Sequence, residues 1–355
     1  MIAVDLTLAV LLLGLVAYAV LGGADFGAGF WDLTAGGPER GARLRGQIKR
    51  AMSPVWEANH VWLIFVLVVL WTGFPDAFGS IMSTLYVPLF LAVLGIVFRG
   101  AAFALRGEAA TIAEARALGA VFALSSVVVP FFLGTVIGAV ASGRVPVLPE
   151  TGDSLTSWTS STSVFVGVMA VVMCAYLAAV YLAADSQRAG LGDLVEAFKI
   201  RALGAASVGG VLAVYGIFVL RDDARPLYDG LTSDWGLVFL AGSGIAGLLT
   251  LGLLWRDRFA TARWTSAAAV AAIVVGWVVA QSPDILPGAL TAEEAAAGNS
   301  TLVPLLVCVV IAVAVLIPAL GWLFRLKLSG RLEPEFHPIT AGLRDAPDRG
   351  EGDER

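Results

Sequence analysis

Histidine is nearly missing from this chain: His60 and His337 are the only two in 355 residues, and cysteine is as rare, at Cys174 and Cys308. Haem iron takes axial His, Met, Cys or Tyr ligands, so a protein carrying several haems on its own imidazoles is excluded. Glu57 and His60 have the Glu-x-x-His spacing of di-iron bundles, but that site needs two such motifs and more glutamates. No metal site is therefore expected. Each cysteine sits inside an apolar run, where packing accounts for it better than a disulfide or a metal. Charge is scarce as well, at 14% of residues, which excludes an ordinary soluble domain.

What fills the chain instead is apolar: 58% of positions, with a mean hydropathy of +0.84. Nine long apolar windows succeed one another, at Leu6–Phe26, Trp56–Gly73, Ala77–Phe98, Leu118–Ala141, Val164–Ala184, Leu203–Leu220, Trp235–Trp255, Ala267–Gln281 and Leu302–Phe324. Most approach the ~20 residues that cross a hydrocarbon core as a helix. Backbone groups in lipid must pair within their own segment, and these runs are far too long for barrel strands. The fold class is all-α, a polytopic membrane protein of about nine transmembrane helices. The membrane domain is expected over 1–328, with a repeat over 1–141 and 163–281, a last helix at 302–325, and a polar tail at 329–355. His337 falls in that tail, as a solvated surface histidine.

Lysine and arginine set the orientation. Alternate connections hold twenty basic residues against three on the other side. Basic loops stay in the cytoplasm, so the N-terminus is expected outside and the C-terminus inside. Trp31, Trp56, Trp255, Trp264 and Trp322 lie near inner ends of spans, and Trp71, Trp158 and Trp235 near outer ends, as interfacial anchors would. The first run has neither a basic leader nor a small-residue cleavage site, and reads as a retained helix rather than a signal peptide.

Polar groups then converge at one depth. Asp25 lies near the inner end of the first span, Glu57 near the start of the second, and Arg99 at the end of the third. His60 is one turn, ~4.5 Å, deeper than Glu57. Gly23 and Gly27 would let the first helix approach a neighbour closely. Two readings compete. In one, Asp25 and Arg99 neutralise each other, Glu57 caps its helix and His60 bonds a neighbour. In the other, Glu57 and Asp25 take up protons from the cytoplasm and His60 or Asn59 extends the relay inward; ionisable groups inside a membrane are functional candidates by default. Arg99, Trp56, Asn59 and Trp62 are supporting residues, and no residue stands out as a cofactor ligand.

The sequence Gly22-Gly23-Ala24-Asp25-Phe26-Gly27, the run Ser53-Pro54-Val55-Trp56-Glu57-Ala58-Asn59-His60-Val61-Trp62, the outer pair Phe74-Pro75 and the stretch Phe98-Arg99-Gly100-Ala101-Ala102-Phe103 together resemble subunit II of cytochrome bd-type quinol oxidases. The motifs cover Ala17 to Arg106, and the nine-helix, N-out topology extends the likeness. The resemblance implies two four-helix bundles plus one peripheral helix. It implies a respiratory terminal oxidase that oxidises a membrane quinol and reduces oxygen to water, in a bacterial cytoplasmic membrane. Haem b and haem d would be held by the partner, subunit I, and none by this chain. Membrane lipid, quinone and a small accessory subunit are further partners it allows; nucleic acid is not one.

On the same resemblance, Glu57 is the acid implicated in delivering cytoplasmic protons, and Asp25 and Arg99 match the family's acid and arginine on the first and third helices. His60 stands where many relatives carry a glutamate, so the inner step runs through imidazole or the position is structural. A faint internal echo pairs Tyr18 and Asp25 with Tyr176 and Asp185. The rival class is a proton-coupled secondary transporter, although no corresponding pair of spans is clearly interrupted at mid-membrane. A purely structural subunit is a third reading.

Overall fold

The computed structural model describes residues 2–37, 41–52, 56–106, 109 and 111–328, with side chains at 56–58, 112, 317, 320, 324, 327 and 328 outside that description. Met1–Cys308 forms one compact unit and Val309–Arg355 a second. The polar tail at 329–355, with His337, lies outside the described residues.

The first apolar run folds as α1 (Ile2–Ala17), a π-helical turn (Tyr18–Gly22) and α2 (Gly23–Leu33), a continuous 32-residue span. Next comes α3 (Ala42–Met52), whose arginines and lysine leave Gln47, Ile48 and Met52 as its buried face. Composition marked this stretch only as a basic connection; the structure makes it an amphipathic helix packed on α2 and on α8 (Ser161–Arg188). The second span is α4 (Trp56–Gly73).

The third window is corrected. A single span was expected over Ala77–Phe98, but the chain forms α5 (Pro75–Thr84) and then α6 (Tyr86–Leu105). Phe74, fully buried at φ −137° and ψ 64°, turns the backbone between α4 and α5 through 117°. Pro75 at the first helical position has no N–H to lose and so starts the new helix cleanly. Hydropathy averages over such a corner and does not see it.

The fourth span is α7 (Ile112–Ala141), opened by a capping box in which Thr111 and Glu114 satisfy each other's backbone N–H groups. After α8 come α9 (Gly192–Asp223), α10 (Arg225–Leu231), α11 (Asp234–Trp255) and α12 (Phe259–Gln281). The sixth and eighth windows thus extend past their apolar cores, so that Lys199, Arg201 and Arg263 lie within helices. A small two-stranded ribbon comes next, β1 (Asp284–Leu286) with β2 (Leu290–Thr291), then α13 (Ala292–Ala295) and α14 (Asn299–Leu328). Eight described helices are long and apolar enough to cross a membrane, and the bent α4 and α5 pair supplies a ninth.

Helix α8 is the hub. It packs on α2, α7, α9 and α12, and from Cys174 to Ala184 all but Tyr181 are buried. Five of those residues are alanine, small enough to admit neighbours on every side. With no hydrophobic drive between helices in lipid, this close packing is what holds the unit together.

Candidate functional site

Helix α2 begins inside the bundle, and its first turn carries Asp25, 6% exposed. Asn59 on α4 donates Nδ2–H to Asp25 Oδ2 at 2.6 Å and to the carbonyl of Leu21 at 3.2 Å. That carbonyl belongs to the π turn. On the third span Arg99 is 1% exposed, the largest side chain so completely enclosed among the described residues.

A buried guanidinium is tolerable only when its charge and its five donors are met. Arg99 Nε–H donates to Ser126 Oγ at 3.0 Å, and Nη2–H donates to the main-chain oxygen of Asp25 at 3.1 Å. Ser126 in turn donates to the carbonyl of Phe122 at 2.7 Å, which fixes the lone pair that Arg99 uses. The guanidinium carbon lies 4.8 Å from the Phe26 ring centre and 5.0 Å from that of Phe122. Two aromatic faces thus supplement the hydrogen bonds. Asp25 and Arg99 do meet, as expected of a neutralising pair, but the hydrogen bond from Arg99 reaches the Asp25 backbone while the carboxylate takes Asn59. Attraction between the two charges acts across the remaining distance.

Glycines make the convergence possible. A Cβ on Gly27 would lie 1.8 Å from the carbonyl oxygen of Cys174, and one on Gly29 would lie 2.1 Å from Ser126 Oγ. Gly27 therefore sets the approach of α2 to α8, and Gly29 its approach to α7. Gly23 is not such a point, since a Cβ there would meet Leu177 at an ordinary 3.4 Å.

His60 packs edge-on against Phe26, ring centres 6.0 Å apart, so it joins the cluster through the same aromatic that Arg99 covers. Trp62 stands edge-on to Phe65, ring centres 6.1 Å apart. The backbone of Trp56 and Glu57 forms the first turn of α4, and their side chains lie outside the described residues. Sequence reasoning missed Ser126 and Phe122, and named Tyr18 only as part of an internal echo. Only the adjacent pair Ser125-Ser126 within an apolar run was a visible signal.

A second polar group lies at the end of α2. Asp32 is 4% exposed and receives Arg106 at 3.2 Å and Arg45 at 3.7 Å. Close by on α3, partial burial and the Arg106 guanidinium hold the Lys49 ammonium below its usual range. Trp31, expected as an interfacial anchor, donates its indole N–H to the carbonyl of Ala175 at 2.8 Å. Trp71, Trp235, Trp255 and Trp264 are exposed, as anchors require.

Among the described residues no group of three His, Cys, Asp or Glu side chains forms a metal site.

Residues 4–327 match the family model described as cytochrome bd terminal oxidase subunit II. The chain belongs to this family. Among curated relatives, the putative cytochrome bd menaquinol oxidase subunit II of Bacillus subtilis is 25% identical over 62% of this chain and 63% of the relative. The cytochrome bd ubiquinol oxidase subunit 2 of the same organism is 26% identical over 45% of this chain and 46% of the relative. The chain thus spans less than two thirds of the length of these two. Escherichia coli cytochrome bd-I ubiquinol oxidase subunit 2 is 24% identical over 90% of this chain and 93% of its own length. Among solved structures, bd oxidase from Geobacillus thermodenitrificans superposes with a TM-score of 0.74 at 25% identity, covering 92% of this chain and 99% of the other. The chain is accordingly a multi-helix membrane protein of the cytochrome bd family.

Proposed function

We propose that the chain is subunit II of a membrane terminal oxidase that oxidises quinol and reduces oxygen to water, and that it conducts cytoplasmic protons. The observation that carries this reading is the 2.6 Å bond from Asn59 to Asp25, which ties the acid of the first span to the head of α4. Family membership supplies the reaction, and the cluster supplies this chain's share of it. The relatives' names assign menaquinol to one protein and ubiquinol to others, so the substrate class is a quinol.

The groups divide by chemistry. An amide donor orients a carboxylate without passing protons, so Asn59 is a positioning residue and Asp25 the proton-accepting group. Arg99 keeps its charge and fixes the electrostatic level of the site. Glu57 and His60 are three apart on α4, so the two positions share a face, about 160° and 100° round the helix from Asn59. Glu57 is the entry acid and His60 the next group inward. Haem b and haem d, together with quinol oxidation, belong to a partner subunit I; when bound there they supply the electron transfer that consumes these protons. The N-terminus lies outside and the C-terminus in the cytoplasm.

Glu57→Gln, made in the assembled oxidase, tests the reading. Turnover is expected to fall by roughly tenfold or more, the scale of a lost proton-transfer group, with haem absorbance intact. Unchanged turnover would reduce the chain to a structural subunit. Purification without any haem-bearing partner would defeat the oxidase assignment itself.

A further inference from the structure

Arg99 Nη1 and Tyr18 Oη are both buried, and neither has a hydrogen-bond partner among the described residues. Native interiors rarely leave such groups unmet, and those the protein does not satisfy are commonly satisfied by ordered water. The two side chains share one aromatic neighbour. Tyr18 meets the Phe26 ring edge-on with centres 6.3 Å apart, and the Arg99 guanidinium covers the same ring at 4.8 Å. Tyr18 also lies within electrostatic reach of Arg99, Cys174 and Asp25.

Its placement is built into the backbone. Tyr18 opens the π turn, and a Cβ on Gly22 would strike the Tyr18 ring at 2.9 Å. The ring is therefore laid along the one residue of the turn that has no side chain. π turns inside α-helices occur frequently at functional sites. Seven residues before Asp25, Tyr18 is roughly 10 Å further from the inner end of the span.

We infer that Arg99 Nη1 and Tyr18 Oη hold a water between them, and that Tyr18 carries the proton path from Asp25 towards the membrane centre. This rests on the proton-conducting reading above. The water accepts from Arg99 Nη1–H and donates to Tyr18 Oη. A hydroxyl both donates and accepts: as Tyr18 Oη takes a proton from the water, the water is refilled from the Asp25 carboxyl and Tyr18 gives its own O–H proton to a second water on the side of the membrane centre, so no net charge stays on the ring. Arg99 only donates, and so positions the water without passing the proton.

Tyr18→Phe keeps the ring and removes the hydroxyl. In the oxidase assembled with its haem-bearing partner, turnover is expected to fall about fivefold to tenfold, less than a full acid–base group contributes. Haem absorbance should stay unchanged, and the deficit should widen as pH rises and protons become limiting. If Glu57→Gln cripples the enzyme while Tyr18→Phe matches the unmodified protein at every pH, the Tyr18 role is wrong and the Glu57 reading survives. If neither variant changes turnover, both fall. A density map of the unmodified complex that shows ordered waters reads the same point without a variant. It should show a water within hydrogen-bond distance of both atoms, and a direct contact or an apolar filling there would overturn the proposal.

Discussion

Arg99 is the residue on which the local physics turns. Its charge is expensive inside a membrane, and the chain meets that cost with Ser126, the Asp25 carbonyl and two phenylalanine faces. Arg99→Leu would leave the Asp25 carboxylate buried without its counter-charge. With Ser126 Oγ and the Asp25 carbonyl also left without their donor, a loss of about 1–3 kcal/mol is expected, measurable as a lower midpoint in thermal unfolding of the purified complex. Arg99→Lys should not restore it, because an ammonium cannot offer the planar fork that reaches Ser126 and Asp25 together. The sequence made Asp25, Asn59 and Arg99 legible because charged and amide groups stand out in an apolar run. Ser126 stayed hidden, since hydroxyls are common in membrane helices and carry no signal until a partner on another helix is known, and Tyr18 stood out only as an echo of Tyr176.

Among the elements, Gly27 is the sharpest test of how α2 and α8 fit. Its missing Cβ leaves room for the Cys174 carbonyl, so Gly27→Ala must push two backbones apart. Overpacking of that kind costs about 1–3 kcal/mol, and the expected result is less folded protein in membranes and a lower unfolding temperature. Gly210 on α9 is exposed and has nothing within 4 Å of an added Cβ, so Gly210→Ala should be neutral or slightly stabilising. Helix positions could be read from hydropathy because burial in lipid leaves long apolar runs. The corner at Phe74 could not, nor could the π turn, because both are backbone events inside windows whose average hydropathy stays high. Helix α3 was missed for the opposite reason: its basic residues masked a short apolar stripe.

At the scale of the molecule, two features support the proposed repeat over 1–141 and 163–281. Phe74 and Ala224 adopt nearly the same backbone conformation, at φ −137° and ψ 64° against φ −139° and ψ 57°. Each is buried, each comes after the second span of its half, and each precedes a short helix with proline at its start. Halves with an even number of spans run in the same direction, which agrees with the alternation of basic loops. Reporter fusions test that orientation: a periplasm-dependent reporter should be active in the segment between α7 and α8 and silent after Leu328, and the reverse pattern would invert the assignment. The position of α8 carries a consequence for synthesis on the ribosome. Asp25, Asn59, Arg99 and Ser126 all lie on spans made before α8, so the charges can be neutralised among the first four spans to enter the bilayer. The alanine-rich core can close only after the fifth span arrives to join α2 and α7 to α9 and α12. The groups around Arg99 are therefore all in place before the α8 core can close, whereas the Arg263–Asp185 pair has to wait for α12.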